Sequence, residues 1–343
     1  MEESRFLDKV KGCLTGGAIG DALGYPVEFI MSYDGIVANY GEGGIEEYEL
    51  SCGEALISDD TQMTLYTAEA IIEAKNTAVD IVPEVCKAYL LWFGGQTGKK
   101  IKTGYNSELA KITAFNQRRA PGTTCLSALQ AIYSGREPMN NSKGCGGIMR
   151  VAPIGIYGAV KNIELQSTGR LAGEVAELTH LHPLSTYSSA MQAIVIQQCL
   201  SHPEISKERF KEFVLISLAV VSEIYGNEAP FIDEFRNVIN NAIEQAKSSL
   251  SDAEIIEKHI GGGWVAEETL AIAIFSILRH FDDINRCFIC SVNHGGDSDS
   301  TGAVAGNIIG AIHGYSRLPE KFIDNLQFHD LIHTFADKLI NLK

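Results

Sequence analysis

The chain has 343 residues, 45% of them hydrophobic, with 28 Lys and Arg against 43 Asp and Glu and a formal charge of −15. This length allows one large domain or two ordinary ones, and the acidic balance argues against a nucleic-acid surface or an anionic membrane as partner. The polar start MEESRFLDKVKGC has no secretory core, and no run reaches the roughly 18 apolar residues of a membrane span, so a soluble, cytoplasmic protein is expected.

The first predicted element, GCLTGGAIGDALG, places Gly12, Gly16, Gly20 and Gly24 four residues apart. Glycine inside a helix costs up to about 1 kcal/mol relative to alanine, so such a row implies close backbone approach. Loops are expected at 41–53, 94–105 and 118–124, where Gly, Pro, Lys and polar residues cluster. Between the first two loops, Ser58-Asp59-Asp60-Thr61 opens a helix, where Ser58 can cap and the acids favour the positive end of the dipole.

Next, KGCGGIMRVAP brings Gly144, Gly146 and Gly147 into one turn, with Arg150 read as part of a structural ion pair, and LTHLHP brings His180 and His182. Phe210, Phe213, Val214, Val221 and Ile224 form one helical stripe, ending at Gly226, and Ile232, Phe235, Ile239, Ala242 and Ala246 form another. The segment WVAEETLAIAIFSILRHF is apolar nearly all round, as a core spine is. Cys287 and Cys290 read as core, since eight scattered cysteines make no disulfide framework and no second pair completes a zinc site. A second glycine row, Gly302, Gly306, Gly310 and Gly314, follows VNHGGDSDSTG. Packing the two rows together would bring Asp21 and Glu28 near Asp297 and Asp299. Period-2 strand patterns are scarce, so the expected fold is all-α, a single compact multi-helix domain over 1–343.

One acidic knot is ordinary capping; two such knots, each flanked by hydroxyls, call for a common cause. Buried carboxylates stay together when cations or protons neutralise them, and an oxygen-only set favours Mg²⁺ or Mn²⁺ over zinc. Two such ions can grip a diol or phosphate and lower the pKa of water, which points to metal-assisted hydrolysis. GGQTGKK lacks P-loop spacing, and His329 and His333 lack the Glu and third ligand of a zinc protease, so that pair reads as an amphipathic terminal helix.

In order, GCLTGGAIGDALGYPVEF, SDDTQM, RRAPG, GCGGIMRVAPIG, LTHLHP, GWVAEE and VNHGGDSDSTGAVAGNIIGA resemble the ADP-ribosylglycohydrolases, the dinitrogenase reductase-activating glycohydrolase and ADP-ribosylarginine hydrolase type. The resemblance implies a dinuclear Mg²⁺ or Mn²⁺ centre with Ser58, Asp59, Asp60, Asp297, Asp299 and Ser300 as ligands. It also implies a diphosphate held by Gly144, Cys145, Gly146 and Gly147, His180 near the distal ribose or adenine, and Glu28 on a loop near the metals. Asp60 is the first choice for proton transfer and Glu28 the second. The substrate it implies is a mono-ADP-ribosylated protein, with ADP-ribose as product; Ser58 and Ser300 favour arginine as the acceptor. Alternatives are a serine linkage, a small-molecule conjugate, a two-metal sugar phosphohydrolase, or an immunity protein that binds an ADP-ribosyltransferase toxin.

Overall fold

The computed structural model describes residues 2–226 and 229–342. Fifteen α-helices run through them: α1 (Glu2–Gly24), α2 (Tyr33–Tyr40), α3 (Asp59–Thr77), α4 (Ile81–Thr97), α5 (Thr123–Tyr133), α6 (Ala152–Lys161), α7 (Leu165–Glu177), α8 (Pro183–Ser201), α9 (Lys207–Tyr225), α10 (Ile232–Gln245), α11 (Asp252–Ile255), α12 (Ala266–Arg279), α13 (Ile284–Val292), α14 (Ser298–His313) and α15 (His329–Ile340). Among the described residues there are three isolated β-bridges and no sheet, as the missing period-2 patterns imply. Local signals set the helix ends. Ser58, Ser206 and Ser251 accept hydrogen bonds from first-turn amides, and α9 stops at Gly226, whose φ of +95° suits glycine.

The most extensive helix contact joins the two glycine rows, 282 residues apart in sequence at Gly20 and Gly302. Helices α1 and α14 run antiparallel: Gly12 faces Gly310, Gly16 faces Gly306, Gly20 faces Gly302 and Gly24 faces Ser298. At each step a Cβ on the α1 glycine would strike backbone of the other helix, so only hydrogen fits between the chains. Asn307 Nδ2 donates to Cys13 O at 2.9 Å across the same seam. This packing joins the two ends of the sequence and sets the acid knots on one side of the fold.

Helix α12 is buried over most of its length, as its composition implies, but α8 is buried more completely, from Leu184 to Leu200. Its sequence, PLSTYSSAMQAIVIQQCLS, conceals this because Ser, Thr and Gln interrupt the apolar pattern. Some of these groups bond within the interior: Ser188 donates to Leu184 O at 2.7 Å, and Gln198 Nε2 donates to Phe213 O and Ser217 Oγ, whereas the side chains of Ser185, Ser189 and Gln192 are buried without a hydrogen-bond partner among the described residues. The 287–290 cysteine pair lies buried in α13 with both thiols free. No helix is long and apolar enough to cross a membrane among the described residues.

Candidate active site

A cavity of about 450 Å³ opens where the N-terminal ends of α3 and α14 meet the segment after α1. Asp59 and Asp60 enter it from α3, Asp297, Asp299 and Ser300 from α14, and Glu28 from the turn that follows the 3₁₀ helix Tyr25–Val27. Carboxylate oxygens of Glu28, Asp297 and Asp299 lie within 4.8 Å of one another. Asp21 takes another place: its carboxylate accepts from Ser58 N at 2.9 Å, Thr61 N at 3.0 Å and Thr61 Oγ1 at 2.5 Å. It thereby pins the start of α3 to α1 and fixes where Asp59 and Asp60 point.

Ser58 is fully buried, caps α3 by accepting from Asp60 N at 3.1 Å, and does not line the cavity. Ser300 does line it, whereas Thr301 Oγ1 donates inward and is met by His294 Nε2 at 2.9 Å. Of the glycine turn, Gly144, Cys145 and Gly146 line the cavity; Gly147 instead faces Ser185 and Ala176, which its missing side chain accommodates. Cys145 N donates to Trp264 O and Gly144 N to Ser142 Oγ, each at 3.3 Å, so two of that turn's amides already have acceptors. The Cys145 thiol donates to Asp297 Oδ2 at 2.7 Å.

None of the five cavity carboxylates has a salt-bridge partner among the described residues. Burial, reinforced by neighbouring carboxylates, holds Asp59, Asp60 and Asp299 well above the usual carboxylate range. Burial and then Asp297 push Glu28 to about 9, and burial pushes Asp21 to about 6 against the hydrogen bonds it accepts. Asp60 Oδ2 and Glu28 Oε2 are buried with no hydrogen-bond partner. Clustered acids, unpaired buried oxygens and all-oxygen donors fit hard divalent cations.

These shifts have a testable sign. The native state keeps protons on these acids that an unfolded chain gives up near about pH 4. In chelator-treated protein the contribution of these acids to stability is therefore present in full at low pH and is lost as pH rises through about 6 for Asp21 and about 9 for Glu28. Thermal melts in excess chelator should fall across that window, and Mg²⁺ should flatten the slope. A cation-free melting point that rises with pH over the same window contradicts this reading.

The sequence did not expose several cavity walls. Ala120 has a φ of +50°, a conformation rare for a residue with a side chain, and Gly122 N donates to Asp59 Oδ2 at 3.4 Å from the same loop. Phe29, 67% exposed, stacks on Trp264 at 6.4 Å between ring centroids beside Glu28. RRAPG and GWVAEE marked these segments without disclosing that they line one cavity with the acids. A bridge between Gly144 and Val265, with Ala266 N donating to Lys143 O at 2.8 Å, ties the glycine turn to the start of α12. His180 lines the cavity wall, and burial followed by the Arg150 charge lowers it to about 3, so the imidazole is neutral.

The ADP-ribosylglycohydrolase family model matches residues 2–343. The chain is 26% identical to the ADP-ribosylhydrolase ARH3 of Bos taurus, over 98% of this chain and 93% of the relative. It is also 26% identical to the ADP-ribosylarginine hydrolase Tri1 of Serratia proteamaculans, over 99% of this chain and 81% of the relative. A solved ADP-ribosylglycohydrolase-related protein complex superposes with a TM-score of 0.69 at 20% identity, covering 99% of both chains, and so shares the fold. With the family model spanning the described chain and the acid knots meeting in one cavity, this protein belongs to the ADP-ribosylglycohydrolase family, whose members are metal-dependent glycosidases of ADP-ribose conjugates.

Proposed function

We propose that this protein removes ADP-ribose from arginine side chains of mono-ADP-ribosylated proteins by hydrolysing the N-glycosidic bond. The observation that carries the reading is the group of five buried carboxylates, without cationic partners, lining one cavity of a size that suits a nucleotide-class ligand. Asp59, Asp60, Asp297, Asp299 and Ser300 would hold two Mg²⁺ or Mn²⁺ ions, with Ser58 acting through its cap on α3. Bound cations would neutralise these acids, orient ribose hydroxyls and lower the pKa of the attacking water.

Asp60 is the residue proposed to move a proton to the departing group, because it lines the cavity and its Oδ2 has no hydrogen-bond partner. Glu28 is second: in the cation-free chain burial and Asp297 raise it to about 9, and its neighbour Phe29 lines the same cavity and stacks on Trp264. The glycine turn, through Gly146 and its neighbours Gly144, Cys145 and Gly147, and His180 are proposed to receive the diphosphate and distal ribose. The Serratia relative's name supports arginine as the acceptor, as do serines at 58 and 300.

Mass spectrometry of free ADP-ribose released from matched arginine-linked and serine-linked peptides tests the linkage. Chelator-sensitive release from the arginine peptide alone is expected. Release from the serine peptide alone would reverse the acceptor assignment, and release of inorganic phosphate would mean a phosphohydrolase. Neutralisation of an ADP-ribosyltransferase toxin by a hydrolysis-dead Asp60→Ala variant would indicate the binding role instead.

A further inference from the structure

Arg150 is fully buried and, among the described residues, has no carboxylate partner, contrary to the ion pair expected from its sequence. Its Nη2 donates to Thr179 Oγ1 at 2.6 Å and to Val175 O and Ala176 O at 3.2 and 3.5 Å, at the carbonyl end of α7. The guanidinium lies 4.5 Å from the Tyr89 ring centroid, and Nη1 reaches the sulfurs of Cys125 and Met63. A helix C-terminus and an aromatic face thus stabilise a cation that no carboxylate neutralises.

Thr179 Oγ1 also lies 2.9 Å from His180 Nδ1. A hydroxyl has one proton and two lone pairs, and an arginine can only donate. Arg150 takes one lone pair, and the hydroxyl keeps its proton and a second lone pair; assigning the proton to the contact with His180 gives the buried O–H an acceptor 2.9 Å away and makes Nδ1 that acceptor rather than a donor. A neutral imidazole that accepts at Nδ1 carries its proton on Nε2. That nitrogen faces the glycine turn: a Cβ added to Gly144 would lie 3.3 Å from it, and one on Gly146 would lie 3.2 Å away.

We propose that Arg150 and Thr179 set the tautomer of His180, so that Nε2–H is held as a hydrogen-bond donor at the cavity wall beside Gly144 and Gly146. Arg150 and Thr179 are positioning residues in this scheme: neither lends an atom to the ligand through this relay, and both act through the imidazole. The donor selects ligands that present an oxygen acceptor there, such as a phosphate or ribose oxygen, over ligands that present a donor. The identity of that ligand rests on the ADP-ribose reading above; the tautomer does not.

Long-range ¹H–¹⁵N correlation spectra of protein carrying ¹⁵N-labelled histidine, with His180 assigned through His180→Gln, read the tautomer directly in the ligand-free chain. The expected result is Nε2–H in the wild type, retained in Thr179→Ser and lost or mixed with the other tautomer in the near-isosteric Thr179→Val. Calorimetric affinity for ADP-ribose should fall roughly five- to tenfold in Thr179→Val, the loss of one well-oriented hydrogen bond, and return in Thr179→Ser. A wild-type His180 protonated on Nδ1 overturns the proposal. So does a Thr179→Val protein, natively folded by its spectrum, that keeps both the Nε2–H tautomer and the affinity. If wild-type protein binds no ADP-ribose, the functional reading fails while the spectra still decide the relay.

Discussion

Replacing Gly20 with leucine is expected to cost at least about 3 kcal/mol, a large share of the roughly 5–15 kcal/mol that holds a domain together. A Cβ at position 20 would fall on the carbonyl of Gly302, and backbone cannot rotate away as a side chain can. Helices α1 and α14 would have to separate, which displaces Glu28 from Asp297 and Asp299 at the end of the seam where Gly24 faces Ser298. Gly306→Leu, whose Cβ meets Gly16 O, should behave alike. Gly122→Ala is the control for folding, since a Cβ there meets only the Cys125 sulfur at 3.9 Å. Urea or thermal melts check the result: native-like stability in both leucine variants would mean that the seam is not the constraint described here.

Asp60→Asn should produce opposite effects on stability and activity. Hydrolysis is expected to fall by roughly 10² to 10⁴, the usual contribution of a positioned acid or base. In excess chelator the same variant should melt higher than wild type, because it lacks a buried carboxyl that the fold must keep protonated above its ordinary range. A gain of 1 kcal/mol corresponds to about 2 to 4 °C in a domain of a few hundred residues. Mg²⁺ should then stabilise wild type more than the variant, reversing the order. A variant that melts lower than wild type in chelator, or that hydrolyses substrate normally, contradicts the role given to Asp60.

The features legible in the sequence were those with a physical cost that local structure cannot explain. Two rows of helix glycines and two pairs of closely spaced acids are each unfavourable alone, and each finds its reason in the other: the rows pack together and the acids converge. Capping at Ser58 and the stop at Gly226 were legible because they depend on neighbours within a few residues. What the sequence concealed depends on contacts distant in the chain. Asp21 reads as one more acid beside the site until its bonds to Ser58 and Thr61 appear. Arg150 suggested an ion pair because a buried cation usually needs one, whereas the end of α7 and the Tyr89 ring supply its surroundings. Helix α8 was hidden because Ser, Thr and Gln interrupt its apolar pattern, and bonds such as those of Gln198 to Phe213 O and Ser217 Oγ come from tertiary packing alone.

Direct counting of bound metal tests whether the two acid knots form one cation centre. Chelator-treated wild-type protein would be titrated with Mn²⁺ while electron paramagnetic resonance follows the free ion, alongside a chain carrying both Asp60→Asn and Asp297→Asn. Two saturable Mn²⁺ sites per wild-type chain, with both lost or strongly weakened in the double variant, are predicted. No saturable binding to wild type, or undiminished binding to a folded double variant, would contradict it.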